Sequence, residues 1–289
     1  MPATLVTVPY HLGHPRVGPG LGPEQLARWA LADFPDRDLD VRPVELPIPF
    51  QHEVGASFAL AASLAEEVRV ARLRGRRPVV LAGNCVSCVG TLAALSPGAV
   101  GIVWLDAHGD LHTPDTTSTG FLDGMALSTA IGRSWRGLAE AIPGFEPVTQ
   151  DNVVLVGGRA MDPAEIDLVR VGAITHVSEA HVRSAGPPAA LRAAFEELRA
   201  RVDRIYLHVD LDVLDPDELV ANQWQESGGL RVQELQEAVA TAIGTFHVAA
   251  VGVTAFDPTF DPTGAAREPL RRVLERILAV PAGPAAAVD

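Results

Sequence analysis

Two apolar runs that end in acids spaced two residues apart constrain this sequence more than any other feature. The first run, VWL, leads into Asp106, His108 and Asp110, and a later run, YLHV, leads into Asp210 and Asp212. Side chains of a strand alternate between its two faces, so each set points to one side as its strand ends. Clustered carboxylates repel one another, and buried charges persist only when they are paired or bound to metal. The pattern therefore predicts a site for divalent cations.

Short apolar runs alternate with helical patterns along most of the chain. Strands are predicted at residues 4–8, 41–46, 78–81, 100–105, 153–156, 173–176, 205–210 and 248–253. Helices are predicted to begin at Pro23 and to cover residues 56–73, 86–95, 124–131, 164–169, 188–202, 232–242 and 267–278. Strands separated by helices indicate right-handed crossovers, and hence an α/β fold with three αβα layers around a mostly parallel central sheet. We expect one domain over residues 1–280 and a disordered tail at residues 281–289.

Charge and composition argue against several classes of function. The net charge of −13 disfavours nucleic acid and anionic membranes as partners. All 23 basic residues are arginines, which excludes a Schiff-base lysine and the lysine of a P-loop. No apolar run approaches the roughly 20 residues of a membrane span, and the first residues lack the layout of a signal peptide. We therefore expect a cytoplasmic protein with no membrane partner.

Several motifs lie along the chain in an order that is typical of one enzyme family. DAHGD covers residues 106–110, DLDVLDP covers residues 210–216, GNC covers residues 83–85, and VPYHLG stands near the start, with GGL at residues 228–230. Together they resemble the motifs of the arginase/agmatinase (ureohydrolase) family over nearly the whole chain. The resemblance implies an arginase-like fold and a metal-dependent amidinohydrolase. Such an enzyme cleaves the C–N bond of a guanidino or modified-guanidino compound and releases urea or a urea derivative. It also implies a homo-oligomer, either a trimer or a hexamer.

By this resemblance the acids of the two strand ends hold a binuclear centre, which in the family usually contains two Mn²⁺ ions. Asp106 and Asp210 would bridge the ions, Asp110 would complete one site, and His108 with Asp212 would complete the other. Ligands rich in carboxylate suit Mn²⁺, which prefers oxygen donors. The alternative is that these acids only cap helices and form turns.

Cys85 stands where the family has a histidine ligand. If its thiolate binds metal, one site becomes softer, and other divalent transition metals such as iron, cobalt and zinc become candidates. The alternative is that Cys85 packs as an inert small hydrophobe. Because Cys85 and Cys88 form a C-x-x-C pair, a redox role is a third possibility.

Three residues are candidates for catalysis: Asp110, Asp123 and His112. Asp123 stands where arginases carry a histidine that shuttles a proton to the leaving amine. An aspartate can act there as a general acid or base, or it can cap the helix predicted to begin at Gly124. His112 stands where the family has an asparagine for substrate recognition, and it is a second candidate for proton transfer.

Besides His112, substrate recognition departs from the family at one more point and follows it at two others. Ala255 replaces the glutamate that binds the guanidinium group, and the flanking Thr254 and Asp257 are candidates to substitute for it. Asp162 stands where arginases hold the α-ammonium group, and Thr119 stands in the loop that grips the α-carboxylate. The alternative for both is a polar surface loop. The pattern predicts an amino-acid-like substrate for which arginine itself is poorly suited, because a charge-assisted contact has been lost.

Two further interpretations of the function remain open. The Nω-hydroxy-L-arginine hydrolases of D-cycloserine biosynthesis produce hydroxyurea. They resemble this chain in carrying cysteine at the altered ligand position and in the sequence of the loop at residues 113–120. An N-hydroxyguanidine is less basic than a guanidine and needs an anionic partner less. The other interpretation is a catalytically retired metal-binding scaffold.

Overall fold

The computed structural model describes residues 2–96 and 98–279, and a sheet of eight parallel strands lies at its centre. The strands are β1 (Ala3–Val8), β2 (Tyr10–His11), β3 (His14–Pro15), β4 (Leu39–Pro43), β5 (Arg77–Ala82), β6 (Gly101–Asp106), β7 (Val153–Gly157), β8 (Thr175–Val177), β9 (Arg204–Asp210) and β10 (His247–Thr254). Strands β2 and β3, of two residues each, form a separate antiparallel hairpin. Their order across the sheet is β4-β1-β5-β10-β9-β6-β7-β8. Each of the eight predicted strands belongs to this sheet, and the α/β fold class is confirmed.

Helices connect the strands as expected for a parallel sheet. They are α1 (Gly22–Asp33), α2 (Glu53–Leu73), α3 (Cys88–Leu95), α4 (Ala126–Ala130), α5 (Arg136–Glu140), α6 (Pro163–Val171), α7 (Glu179–Ala185), α8 (Pro187–Arg199), α9 (Val232–Thr245) and α10 (Arg267–Leu278). The segment predicted as a helix at residues 124–131 is a 3₁₀ turn, Asp123–Met125, followed by α4. Helices α5 and α7 and the hairpin were not predicted. None of the helices in the described part of the chain is long and apolar enough to cross a membrane.

Two hydrophobic cores lie on opposite faces of the sheet. Alternate residues of one strand enter different cores: Val103 packs against the layer that includes α1, α8, α9 and α10, while Ile102 packs against the layer that includes α2, α3 and α4. This alternation follows from the period of two in a strand. It produces the three αβα layers that the sequence predicts.

The sheet order brings four strand ends to one place. Strand β9 lies between β6 and β10, and β5 follows β10, so the loops after these four strands meet beyond the carboxyl edge. Gly83, in the loop after β5, passes so close to the chain near Tyr10 that a Cβ atom would lie 2.3 Å from the Tyr10 carbonyl oxygen. Only glycine fits this approach without a shift of the backbone. The tail predicted to be disordered, residues 281–289, lies outside the described residues, and the single domain over residues 1–280 stays a prediction.

Candidate metal centre and active-site cleft

The two acid sets of the sequence meet at the ends of adjacent strands. Strands β6 and β9 are paired through Leu105 and Val209, and each strand ends at the next residue, Asp106 in one and Asp210 in the other. Asp212 follows in a 3₁₀ turn, Leu211–Val213. All the carboxylates of this group are buried, with at most 6% of each residue exposed. The period-two spacing therefore gathers them as predicted.

Local hydrogen bonds fix the carboxylates of the two strand ends. Asp106 Oδ1 accepts a hydrogen bond from the His108 backbone N–H at 2.8 Å, and Asp106 Oδ2 accepts one from Trp104 Nε1 at 2.9 Å. Asp210 Oδ1 accepts one from the Asp212 backbone N–H at 2.9 Å. Asp212 itself accepts one from the Asn222 side-chain amide at 3.3 Å. These contacts hold the acids in place before any ligand binds.

His108 lies between two of these acids. Its Nδ1 is 3.3 Å from Asp106 Oδ1 and 3.4 Å from Asp212 Oδ2. Burial by itself lowers the pKa of His108, but hydrogen bonds and charge from Asp106 and Asp212 raise that pKa to about 12. Despite burial, the pKa of Asp212 is held below its usual value, chiefly by the hydrogen bond from His108. Without a cation, His108 is thus the positive charge that balances this side of the cluster.

His108 does not compensate the remaining acids fully. Burial and then the Asp212 charge raise the pKa of Asp106 to about 6, and burial together with neighbouring acids raises the pKa values of Asp110 and Asp210 well above the usual range. Asp110 Oδ2 is buried without a hydrogen-bond partner, and its residue has a left-handed backbone with φ of +52°. An orphaned carboxylate oxygen in a group of repelling acids fits a divalent cation.

Two groups of possible ligands share Asp106, and the predicted ligand Asp110 belongs to neither, although it lines the same cavity. The ligand atoms of Asp106, His108 and Asp212 lie within 4.8 Å of one another, and so do those of Cys85, Asp106, His208 and Asp210. Two groups with a shared carboxylate are suited to two neighbouring cations. The donor set of oxygen, imidazole nitrogen and one sulfur is suited to divalent transition metals.

Cys85 belongs to this cluster. It stands in a buried 3₁₀ turn, Cys85–Ser87, and its Sγ–H donates to Asp210 Oδ2 at 2.9 Å. Burial and the surrounding acids raise the pKa of its thiol well above the usual value, so a nearby cation is needed to hold a thiolate. Cys88 faces away, with its Sγ 3.7 Å from the Ala126 carbonyl oxygen, and both cysteines are free. This arrangement gives no support to the redox interpretation.

Sequence reasoning did not identify His208, although the signal was present. It lies two residues before Asp210 on the same strand, and therefore on the same face. The ring is fully buried and stacks on Trp104 with centroids 3.5 Å apart. Burial lowers the pKa of His208 to about 3, so the ring is neutral.

A cavity of about 170 Å³ opens above the acids. It is lined by Cys85, Asp106, His108, Asp110, His112, Phe121, Asp123, Ala160, Asp162, Glu165, Asp210, Asp212, Trp224 and Ala255. The lining therefore contains no arginine. A bound molecule meets acids at the floor and mixed polar and aromatic side chains at the walls.

Asp123 lines this cavity and is fixed by the loop after β5. Its Oδ1 accepts a hydrogen bond from the Val86 backbone N–H at 3.1 Å, and its Oδ2 accepts one from the Asn84 side-chain amide. Burial raises the pKa of Asp123 to about 6. The carboxyl group thus holds the loop that carries Cys85, and its pKa suits the exchange of a proton near neutral pH.

His112, Asp162 and Glu165 form a second polar group at the cavity wall. His112 Nε2 is 3.0 Å from Asp162 Oδ2 and 3.6 Å from Glu165 Oε2. Glu165 is buried and accepts a hydrogen bond from the Leu111 backbone N–H, while the Asp162 side chain is 58% exposed. Asp162 also caps α6 together with Glu165. Asp162 and Glu165 therefore set the orientation of the His112 ring.

Three of the candidate substrate residues do not line the cavity. Thr119 is exposed, and its hydroxyl accepts a hydrogen bond from the Phe121 backbone N–H. Thr254 lies behind Cys85 and Asp210. The Asp257 carboxylate accepts hydrogen bonds from Thr259 at the start of a 3₁₀ turn. Ala255 does reach the cavity, and no carboxylate is brought there by its neighbours Thr254 and Asp257.

An aromatic wall, formed by Phe121 and Trp224 with His11 beside them, was also missed by sequence reasoning. The rings of Phe121 and Trp224 stack at 4.9 Å, and His11 lies 6.2 Å and 5.9 Å from them. Phe121 and Trp224 lie in separate loops and His11 lies in β2, so no local pattern signals their meeting. Phe121 and Trp224 give one side of the cavity an aromatic lining.

Comparisons with known proteins agree with this geometry. The model of the Arginase family matches residues 1–278. The arginase of Bacillus caldovelox is 30% identical over 253 residues, covering 81% of this chain and 83% of that protein, and human Arginase-1 is 30% identical over 253 residues, covering 80% and 77%. The native structure of the B. caldovelox arginase superposes with a TM-score of 0.87 at 24% identity, covering 96% of this chain and 98% of that one. The chain therefore belongs to the arginase family and is an amidinohydrolase of the ureohydrolase type.

Proposed function

We propose that this chain hydrolyses the C–N bond of a guanidino or modified-guanidino compound with a centre of two Mn²⁺ ions. The proposed ligands are Asp106 and Asp210 between the ions, Cys85 and Asp110 at one ion, and His108 and Asp212 at the other. The observation that carries the proposal is the pair of buried ligand groups that share Asp106, with the unpartnered Asp110 Oδ2 in the lining of the same cavity. Such a group is stable when cations neutralise it. Because Cys85 adds a soft donor, other divalent transition metals stay candidates.

Different groups would perform different parts of the proposed reaction. When bound, two divalent cations would lower the pKa of water and polarise the substrate carbon that it attacks. Trp104, His108 and Asp212 use their N–H groups to orient the carboxylates that would hold those cations. A substrate in the cavity would lie above the acids, with Phe121 and Trp224 in the wall beside it.

Asp123 is the proposed proton carrier to the leaving amine. It lines the cavity, and burial favours its protonated form whereas bound cations would favour its ionised form, so the carboxyl group would be suited to take up and release a proton. Its hydrogen bonds from Val86 and Asn84 keep the carboxyl group in one orientation. His112 is the alternative carrier, but its ring is already engaged with Asp162.

The cavity favours a substrate that is less basic than a guanidine. Ala255 presents a methyl group where a carboxylate would pair with a guanidinium ion. We therefore propose that arginine is a poor substrate. Nω-Hydroxy-L-arginine, which would give hydroxyurea, is the second candidate. Asp162 at the outer end of the cavity is available for an ammonium group, and Thr119 with its neighbouring loop is the proposed contact for a carboxylate.

The experiment is an assay of Mn²⁺-loaded protein against a panel of guanidines, N-hydroxyguanidines and imidamides, with release of amine and of urea or hydroxyurea measured. We expect turnover of at least one class, with an N-hydroxyguanidine preferred to arginine. Asp210→Asn, which removes a proposed bridging ligand, is the control and should abolish turnover. Protein that holds two metal ions and hydrolyses none of the panel would contradict the proposal.

The assembly is proposed from the family resemblance alone. A trimer or hexamer would separate from a monomer of 30.5 kDa by sedimentation velocity. A single monomeric species at micromolar concentration would contradict it.

A further inference from the structure

Two stacked rings lie directly beneath the candidate metal centre. Trp104 of β6 and His208 of β9 are paired in the register of the sheet, and their rings are 3.5 Å apart and nearly parallel, with an angle of 8° between them. Both side chains are fully buried. Neither lines the cavity, so neither is placed to touch a substrate.

Each ring is connected to one of the two proposed bridging carboxylates. Trp104 Nε1 donates directly to Asp106 Oδ2 at 2.9 Å. His208 is connected through Thr254: its Nε2 is 3.2 Å from Thr254 Oγ1, and the Thr254 hydroxyl donates to Asp210 Oδ2 at 2.9 Å. The stacked pair thus supports Asp106 and Asp210 from the same side.

The position of the protons on this chain of hydrogen bonds follows from its first member. Tyr206 is fully buried, and within the described part of the chain its hydroxyl has one hydrogen-bond partner, His208 Nδ1 at 2.9 Å. A buried hydroxyl without an acceptor is costly, so Tyr206 donates to Nδ1. A neutral imidazole that accepts at Nδ1 carries its hydrogen at Nε2. His208 therefore donates to Thr254.

We propose that Tyr206, His208 and Thr254 form a one-way hydrogen-bond chain that positions Asp210 for metal binding, and that His208 is a positioning residue and not a ligand. The Thr254 hydroxyl has a single proton and gives it to the carboxylate, so every donor in the chain has an acceptor. Thr254 Oγ1 is also 3.3 Å from Cys85 Sγ, so the hydrogen-bond chain contacts the proposed thiolate ligand as well.

The alternative is direct ligation. His208 belongs to a group of possible ligands with Cys85, Asp106 and Asp210. Ligation through Nε2 would require the hydrogen to lie on Nδ1, which leaves the Tyr206 hydroxyl buried without an acceptor. The two arrangements differ in what they predict for Thr254. Its hydroxyl is essential to the hydrogen-bond chain but irrelevant to direct ligation by His208.

The test measures metal binding and not turnover, and it rests on the proposed binuclear site. Mn²⁺ affinity and stoichiometry are measured for Thr254→Val and His208→Phe, which remove the hydroxyl or the ring nitrogens at similar volume. Loss of a hydrogen bond to a ligating carboxylate typically weakens metal binding by about 10–100-fold. We expect a loss of that size in each variant, shared by the two ions because Asp210 is proposed to lie between them, and no additional loss in the double variant.

Binding of Co²⁺ supplies a spectroscopic readout. Both single variants should shift the sulfur-to-cobalt absorption band in the same direction, because both release Asp210 and the neighbouring Cys85. Tyr206→Phe removes one oxygen atom and should give a smaller shift of the same sign. Tyr206→Phe provides the test if the other two variants fail to fold. An unshifted sulfur-to-cobalt band in Tyr206→Phe would overturn the inference.

The outcomes separate this inference from the proposed function. If wild-type protein binds no metal, both fail. If wild-type protein binds two ions and Thr254→Val binds them equally well, only the hydrogen-bond chain is refuted. If His208→Phe loses one ion outright while Thr254→Val retains both, His208 is a ligand and the inference is wrong.

Discussion

The acids of the candidate metal centre should make the metal-free protein less stable as the pH rises. Burial raises the pKa of Asp123 from 3.8 to about 6, and burial with the Asp212 charge does the same for Asp106. A folded state with a raised pKa retains its proton when the unfolded chain has already lost it. The resulting stability is complete below pH 4 and is lost as the pH rises past 6.

The magnitude follows from Asp123, whose carboxyl group is fully buried. A rise of about two pKa units corresponds to about 3 kcal/mol over the full range. Between pH 4.5 and pH 7.5 the loss is about 2 kcal/mol from this residue alone. Asp106, Asp110 and Asp210 act in the same direction, because their pKa values are also raised. His208 acts in the opposite direction below pH 6.5, because burial lowers the pKa of its ring to about 3, but the raised acids outnumber it. The free energy of unfolding should therefore fall by a few kcal/mol, a large fraction of the total for a typical domain.

The assay is urea unfolding of chelator-treated protein at pH values from 4.5 to 7.5, repeated with saturating Mn²⁺. Bound cations favour the ionised carboxylates, so the loss at high pH should disappear when metal is present. Asp123→Asn is the matched variant, since it cannot ionise, and its metal-free stability should depend less on pH by about 2 kcal/mol. Metal-free protein whose stability is constant or increases over this range would refute the reasoning.

Three further predictions concern individual residues. Cys85→Ser should weaken the binding of one metal ion far more than that of the other, whereas Cys85→His should retain Mn²⁺ at least as well as wild type. If elemental analysis finds equal metal content in the wild type and both variants, the thiol only packs. Ala255→Glu should raise kcat/KM for arginine by about 10–100-fold, because a charge-assisted contact contributes about 1.5–3 kcal/mol, and unchanged steady-state kinetics would count against the missing-partner argument. Asp123→Asn should lower kcat by about 10²–10⁴-fold in protein shown by elemental analysis to hold both metal ions, and a kcat close to wild type would assign the proton transfer to another group.

Much of the fold and of the acid cluster could be predicted, because both depend on local periodicity. The eight strands follow from short apolar runs, and the convergence of Asp106 with Asp210 follows from the shared carboxyl edge of a parallel sheet. The same rule applied to one more residue would have found His208, which shares a face with Asp210.

Other features depend on contacts between distant parts of the chain and leave no local pattern. The stacking of Phe121 on Trp224 joins two loops that follow different strands. The orientation of Thr254 towards Asp210, and not into the cavity, depends on the register of β10 against β9. The exposure of Thr119 depends on how its loop folds back on the Phe121 backbone. Sequence motifs identify such positions but do not determine which way they face.

The most direct test of the binuclear site is anomalous diffraction from crystals grown with Mn²⁺, recorded on both sides of the manganese absorption edge. The proposed ligands predict two peaks about 3.5 Å apart, in the range of known two-metal sites, with Asp106 and Asp210 between them. One peak should lie beside Cys85 and Asp110, and the other beside His108 and Asp212. A single peak, or no peak among these residues in crystals that contain saturating Mn²⁺, would contradict the binuclear centre.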